Sequence, residues 1–298
     1  MSPGQLRLEL GLSTVSVAAA HLAVCPDVDP LTCASQTIPA HRHAVETRTS
    51  RARLGLGLGL GHGLQLSASL PAERRDVAVD YRTLDGSPYD PPYGDIHHRD
   101  EVLSGMADGE LRLAALRRSG PGVWMGEGGL TLPFGRTEAD PYAAAAAGRW
   151  HEHNQLGAGR PVFLLGGAAL RPPAPWGALA TVSARLSAFT NAEGFRAPHS
   201  ATVALGASRR LGDRGAVAQL AVEGLVEGAE TWSGEAQGGR QALLLDPGLE
   251  LRMGPHLSGQ LDLRWPIVEH LAAHAHDDEG TLRVGPQVAL SLAWTGRP

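Results

Sequence analysis

Hydrophobic and polar residues alternate along most of the chain, a period of two that is typical of β-strands with two unlike faces. In RARLGLGLGLGHGLQLSASL, at 51–70, leucine fills every second position from Leu54 to Leu60 and returns at Leu64 after a Gly-His-Gly break. Glycines in that break can adopt positive φ, which favours a β-hairpin. Each glycine inside a helix would cost about 1 kcal/mol, which argues against the helical alternative. The leucines therefore face either a protein core or lipid.

The same alternation predicts twelve strands along the chain. Their expected ranges are 5–18, 46–61, 63–82, 107–118, 122–135, 160–171, 176–190, 199–211, 215–229, 241–254, 257–270 and 281–295. No helical pattern of useful length interrupts them, and the alanine run at 143–147 is expected to form one turn of helix within a loop.

Short and long connections between these strands alternate without exception. The long ones are expected at about 19–45, 84–106, 136–159, 190–198, 230–240 and 271–280. A membrane barrel has short periplasmic turns and long external loops, whereas a soluble sandwich has no reason to keep every second loop short. The pattern predicts an all-β fold, a transmembrane antiparallel up-and-down β-barrel of about twelve strands, with residues 1–298 as a single domain.

Tryptophans and charges fit the same barrel. Trp124, Trp176 and Trp294 fall at short-turn strand ends, and Trp150 and Trp232 near the long loops, as expected for aromatic girdles at membrane interfaces. The charged residues opposite the apolar positions are expected to line a wet lumen. They are Arg51, Arg53, Arg112, Glu127, Arg185, Glu223, Glu250, Arg252, Asp262, Arg264 and Arg283. In a soluble β protein the same residues would face solvent, so the loop pattern decides between the two.

Composition excludes several other classes. The net charge is −5 and no basic stripe with interleaved aromatics occurs, which argues against nucleic acid as a partner. No apolar run is long enough for a transmembrane helix. Arg7 and Glu9 stand where the apolar segment of a signal peptide would lie, so no export signal is expected in this sequence.

Histidines and cysteines suggest local chemistry in the long loops. Cys25 and Cys33 are the only cysteines and lie close together, which favours a loop disulfide over two free thiols. Imidazoles suit copper or zinc, and His-x-His in an extended segment places both rings on one face. The sequence thus offers a surface metal site of His97, His98, His151 and His153, with Glu101 or Glu152 as orienting groups. The alternative is a set of solvated loop residues.

A lipid hydrolase is a further alternative, because His151 and Asn154 of HEHNQ, with Ser104, are residue types that such barrels use in catalysis. No recognised nucleophile motif is present, and a structural loop is the better explanation. The glycine-rich run is not a dinucleotide loop, since no helix follows it.

Three short motifs resemble outer-membrane β-barrel proteins of the meta-pathway phenol-degradation (MetA-like) transporter family. They are SGMADGELRL at 104–113, GLTLPFGR at 129–136 and VGPQVALSLAW at 284–294. Ala107 replaces the family glycine, and the last aromatic, Trp294, lies four residues from the end. The resemblance spans about two-thirds of the chain and implies an outer-membrane location and the passage of small, including hydrophobic, solutes.

Together these patterns predict a channel or transporter for passive passage of small solutes in the cell outer membrane. No covalent chemistry and no cofactor are expected, apart from the surface copper or zinc of the alternative above. The expected partners are membrane lipid, a small-molecule solute and the barrel-assembly machinery.

Overall fold

The computed structural model describes residues 1–24, 37–92, 99–151, 154–212, 215–271 and 281–296. Its elements are β1 Leu6–Ala23, β2 His41–Gly61, β3 Leu64–Thr83, β4 Glu101–Met106, β5 Gly109–Ser119, β6 Gly122–Leu132, α1 Pro141–Ala146, β7 Phe163–Arg171, β8 Trp176–Leu186, β9 Phe195–Arg196, β10 Ser200–Leu211, β11 Ala216–Glu227, β12 Glu230–Trp232, β13 Glu235–Gln237, β14 Arg240–Arg252, β15 Leu257–Leu271, β16 Thr281–Val284 and β17 Gln287–Gly296. In the described part of the chain, no helix is long and apolar enough to cross a membrane.

The main sheet closes on itself as an antiparallel barrel. Consecutive long strands pair with one another, and β1 pairs both with β2 and with β16 and β17. Since β4 and β5 both pair with β3, and β16 and β17 both pair with β1, each of these two pairs fills one position in the wall. The result is the predicted closed barrel of twelve strands.

The aliphatic residues cover the outside of this barrel. Leu10 pairs with Leu54 and Leu292 on neighbouring strands, and all three side chains are partly exposed. Leu205, on the far side of the barrel, is 64% exposed. No second sheet covers these residues within the described structure. Their side chains would be buried only in an apolar surrounding such as the hydrocarbon of a lipid bilayer.

The strands β1 and β2 extend further than the hydrophobic pattern predicts. The expected loop 19–45 is shorter, because β1 continues to Ala23 and β2 begins at His41. The end of the expected loop 84–106 likewise forms β4. The added residues of β1 are mostly alanine and those of β2 include His41, Arg42 and His43. The alternation that marks a strand therefore fades there while the backbone ladder continues.

A small separate sheet of β9, β12 and β13 links the connections on the long-loop side. Trp232 is 2% exposed and its ring lies 4.7 Å from that of Phe195, so its expected position in an interfacial girdle is wrong. Trp124 and Trp176, by contrast, are 57% and 59% exposed at the short-turn ends of their strands. The sheet buries its own aromatic pair instead of contributing to the belt.

Candidate functional site

The glycine face of β2 makes room for the first residues of the chain. A Cβ at Gly59 would lie 2.1 Å from the Ser2 carbonyl oxygen, and one at Gly57 would lie 3.7 Å from the Met1 sulfur. The Gly4 amide also donates to the Gly59 carbonyl oxygen at 2.9 Å. The bare face opposite the leucines is therefore filled at the short-turn end by residues 1–4, which lie inside the barrel.

Above this segment, two carboxylates on β1 and β3 are each shared by two arginines. Glu9 pairs with Arg7 at 3.1 Å and with Arg53. Glu73 pairs with Arg51 at 2.5 Å and with Arg75 at 2.8 Å. Each group therefore carries one more positive than negative charge.

A third charge network crosses the interior. Glu110 on β5 accepts hydrogen bonds at 3.0 Å from Arg112 on its own strand and from Arg185 on β8. Arg112 also reaches Glu127 on β6 at 2.5 Å. A Cβ at Gly166 on β7 would lie 2.7 Å from the Glu127 carboxylate, so glycine at 166 is what leaves space for this pair. The network ties the strands β5, β6 and β8 together through the lumen.

The other arc of the barrel is acidic. Arg264 on β15 pairs with Glu223, and its Nε lies 3.7 Å from Asp246. Asp262 accepts hydrogen bonds at 3.0 Å from the side-chain amides of Gln219 and Gln260. Because two carboxylates share one arginine here and Asp262 is held by neutral amides, this wall carries surplus negative charge.

Three internal cavities meet at Arg53. A loop-side cavity of about 360 Å³ lies between Arg51, Arg53 and Arg185. A turn-side cavity of about 150 Å³ lies between Arg53 and Arg112. A third cavity of about 340 Å³, here the β15-side cavity, extends from Arg53 to Asp262. The position of Arg53 at the lining of all three makes it the junction of the interior space.

The long connection between β6 and β7 folds against the mouth of the barrel. The Asp108 carboxylate accepts hydrogen bonds from the backbone amides of Gly135 at 3.0 Å and Ala158 at 2.8 Å. Leu156 and Val162, from the same connection, are buried and line the loop-side cavity. This anchored loop narrows the lumen on the long-loop side.

The small sheet of β9, β12 and β13, here the cap sheet, carries a further carboxylate. Glu230 accepts a hydrogen bond from the Trp232 indole nitrogen at 3.1 Å. Burial is the largest influence on Glu230 and raises its pKa; the nearby charge of Glu227 raises it further, while the indole hydrogen bond opposes both.

The predicted lumen residues fall mainly on the inward face. Arg51, Arg53, Arg112, Glu127, Arg185, Glu223, Asp262 and Arg264 take part in the networks or cavities above. Glu250 and Arg252 share that face near the short turns, where they pair in register with Gln260 and Ser258.

Arg283 does not lie on the lumen face. The register pairs Thr14 with Val288 but Val17 with Val284, so β16 and β17 contain one residue more than the matching part of β1. The extra residue at the 285–286 break reverses the alternation and places Arg283 opposite Ala18, on the outward face.

Glu73, Arg75 and Asp246 also point inward, although they were not among the predicted lumen residues. Glu73 and Arg75 continue the alternation of Gln65, Ser67 and Ser69, and Asp246 continues that of Glu250 and Arg252. The signal that locates them is the phase of the strand, extended past Pro71 and Pro247.

The loop chemistry lies largely outside the described residues. The disulfide and the metal site stay predictions, because six of their residues lie outside the described part of the chain. These are Cys25, Cys33, His97, His98, Glu152 and His153. His151 is buried, and its Nδ1 lies 3.0 Å from the Arg149 carbonyl oxygen. Among the residues the structure describes, no three or more His, Cys, Asp or Glu side chains are grouped to hold a metal ion.

The residues of the hydrolase alternative are not gathered into a site. Ser104 pairs in register with Arg74 on the outward face of β4. The Asn154 side chain accepts a hydrogen bond from Arg75 at 3.3 Å.

No protein-family model matches the chain, and no match is found among curated protein sequences. Among solved structures, an outer membrane channel from Pseudomonas putida F1 has a TM-score of 0.61 at 13% identity, covering 99% of this chain and 97% of the channel. The Pseudomonas putida toluene transporter TodX has a TM-score of 0.40 at 10% identity, covering 100% of this chain and 90% of TodX. The CymD monoaromatic hydrocarbon channel has a TM-score of 0.40 at 10% identity, covering 100% of this chain and 89% of CymD. The chain shares its fold with the first of these.

Proposed function

We propose that this protein is an outer-membrane channel for the passive passage of small solutes. The observation that carries the proposal is the division of the barrel into two surfaces. Outside lies a belt of aliphatic side chains, and inside lie charged side chains around cavities that meet at Arg53. A wet, charged lumen within an apolar cylinder gives polar solutes a path that lipid does not offer.

Two further observations support this proposal. The fold is shared with an outer membrane channel over nearly the full length of both chains. The motifs that resemble the MetA-like family also point to an outer-membrane transport role, and membership of that family is part of the proposal. Membrane lipid, a small solute and the barrel-assembly machinery are its proposed partners.

Transport requires no covalent step and no cofactor. The residues of this chain would act by position and charge: Arg53 at the junction of the cavities, the carboxylates behind the arginines, and the anchored loop that limits the mouth. Selectivity would come from solute size and from these charges.

The test is ion flux through the purified, folded chain in planar lipid bilayers, together with swelling of proteoliposomes in small sugars and amino acids. We expect stepwise conductance and swelling rates that fall as solute size rises. Folding is checked by the heat-dependent gel mobility that closed barrels show. A folded barrel that gives neither conductance nor swelling would refute the proposal.

A further inference from the structure

The loop-side cavity brings arginines from opposite walls of the barrel to one space. Arg51 and Arg53 lie two residues apart on the inward face of β2. Arg185 lies on β8, five steps away in the order β8-β7-β6-β5-β3-β2 and therefore nearly opposite in a barrel of twelve positions. All three line the same volume of about 360 Å³. We infer that this cavity binds a small organic carboxylate, an inference that rests on the proposed channel function.

The arginines of β2 are more accessible to a solute than their partner carboxylates. The side chains of Arg51, Arg53 and Arg185 are 49%, 44% and 46% exposed. Their partners Glu73 and Glu9 are 2% and 19% exposed. At β2 the negative charge is recessed in the wall while the guanidinium groups extend into the lumen, so this part of the accessible surface is positive.

Other carboxylates line the cavity, and two of them are occupied by donors. Glu110 accepts hydrogen bonds from Arg112 and Arg185. Asp108 accepts two from backbone amides of the anchored loop. Glu227, at the end of β11, is the third. Five N–H donors on each guanidinium leave capacity for a further anion after these bonds are made.

Part of the remaining wall is apolar, beside the polar Ser69, Gln155 and Ser200, and this apolar part favours an organic anion over an inorganic one. Leu156, Val162 and Phe195 line it and are 5%, 3% and 4% exposed. A carboxylate matches the planar fork of a guanidinium in a bidentate contact, and an attached ring or short chain can pack on this wall. The volume falls within the range of about 300–1,000 Å³ usual for small-molecule sites.

The experiment compares benzoate with benzamide, its uncharged counterpart of the same shape, as blockers of chloride current through the folded wild-type chain. Benzoate is expected to reduce the current in a saturable way and benzamide to have little effect. Arg53→Ala and Arg185→Ala should each weaken benzoate block about fivefold, the effect of removing one nearby charge in a wet site. Arg53→Lys, which keeps the charge but not the fork, should lose less. Arg171→Ala is the matched control, because Arg171 pairs with Ala178 on the outward face and is exposed.

Equal block by benzoate and benzamide would overturn the inference, and so would undiminished benzoate block in both alanine variants that still conduct. If the wild-type chain folds but carries no current, the channel proposal fails separately. Benzoate binding is then measured by calorimetry on the folded barrel in detergent, where heat of binding that is lost in Arg185→Ala supports the site and no heat overturns it.

Discussion

Placing one arginine on either face of the same wall tests the orientation of the whole barrel. Leu10 lies four residues into β1, which at about 3.3 Å per residue and a tilt of about 40° puts it about 10 Å above the strand end. In an apolar band about 25 Å tall, that is close to the midplane. Ser291 on β17 is a neighbour at similar depth, paired with Gly11, but its side chain points inward and lines the β15-side cavity.

Leu10→Arg should destabilise the barrel by about 2–4 kcal/mol, the cost of a cation on the lipid face at the midplane. This corresponds to a roughly 30- to 700-fold shift in the folding equilibrium. Ser291→Arg should cost about 1 kcal/mol or less, because the new cation lies in a wet lumen near the acidic wall that contains Asp262.

The assay is equilibrium folding of both variants into phospholipid vesicles across a guanidinium series, followed by tryptophan fluorescence and gel mobility. The difference between the two free energies of folding is the informative quantity, since both variants add the same side chain. If Ser291→Arg proves as costly as Leu10→Arg, or more so, the leucine face does not contact hydrocarbon and the orientation argued here is wrong.

Three further predictions concern the interior and the cap. Glu73→Gln leaves Arg51 and its neighbour without a counter-charge and should lower the barrel's stability by about 1–2 kcal/mol, less than for a wholly buried pair because Arg51 is half exposed; thermal unfolding in detergent measures it. Gly166→Val should displace the Glu127 carboxylate and change single-channel conductance without loss of folding, measured in bilayers. Because the pKa of Glu230 is raised in the folded state, its stabilising contribution is present at acidic pH and is lost as pH rises through the folded-state pKa. Glu230→Gln should therefore protect the cap sheet from proteolysis at neutral pH and remove the pH dependence of that proteolysis.

The alternation of hydrophobic and polar residues predicted most of the fold, and the reason is geometric. On a β-strand the face of a side chain depends only on whether its position is odd or even, so leucines at Leu54 and Leu56 determine that Arg53 points inward. Loop length then separates a barrel from a sandwich. Closure itself involves contacts between β1 and β17, far apart in sequence, and local pattern could anticipate it only through the even number of strands.

The wrong predictions lie where the odd-even alternation of side chains along a strand is interrupted or does not apply. One extra residue near Gly285 and Pro286 turned Arg283 to the outside, and a shift of one is invisible in composition. Trp232 lies in a loop sheet, where a girdle assignment from strand ends has no basis. The pairing of Arg185 with Glu110, 75 residues apart, follows from barrel geometry and has no sequence signal.

Acidic and basic residues both line the lumen, so their numbers alone would suggest no preference for solutes of either charge. The structure shows that these residues differ in how accessible they are to a solute. On the wall of β1 to β3, a carboxylate such as Glu73 sits behind the arginines that it holds, so the fixed negative charge stabilises the guanidinium groups without being presented to the lumen. On the β11 to β15 wall, Asp262 is held by amides and keeps its charge uncompensated. A solute in the interior therefore meets positive charge on one side and negative charge on the other, and selectivity depends on which groups are recessed.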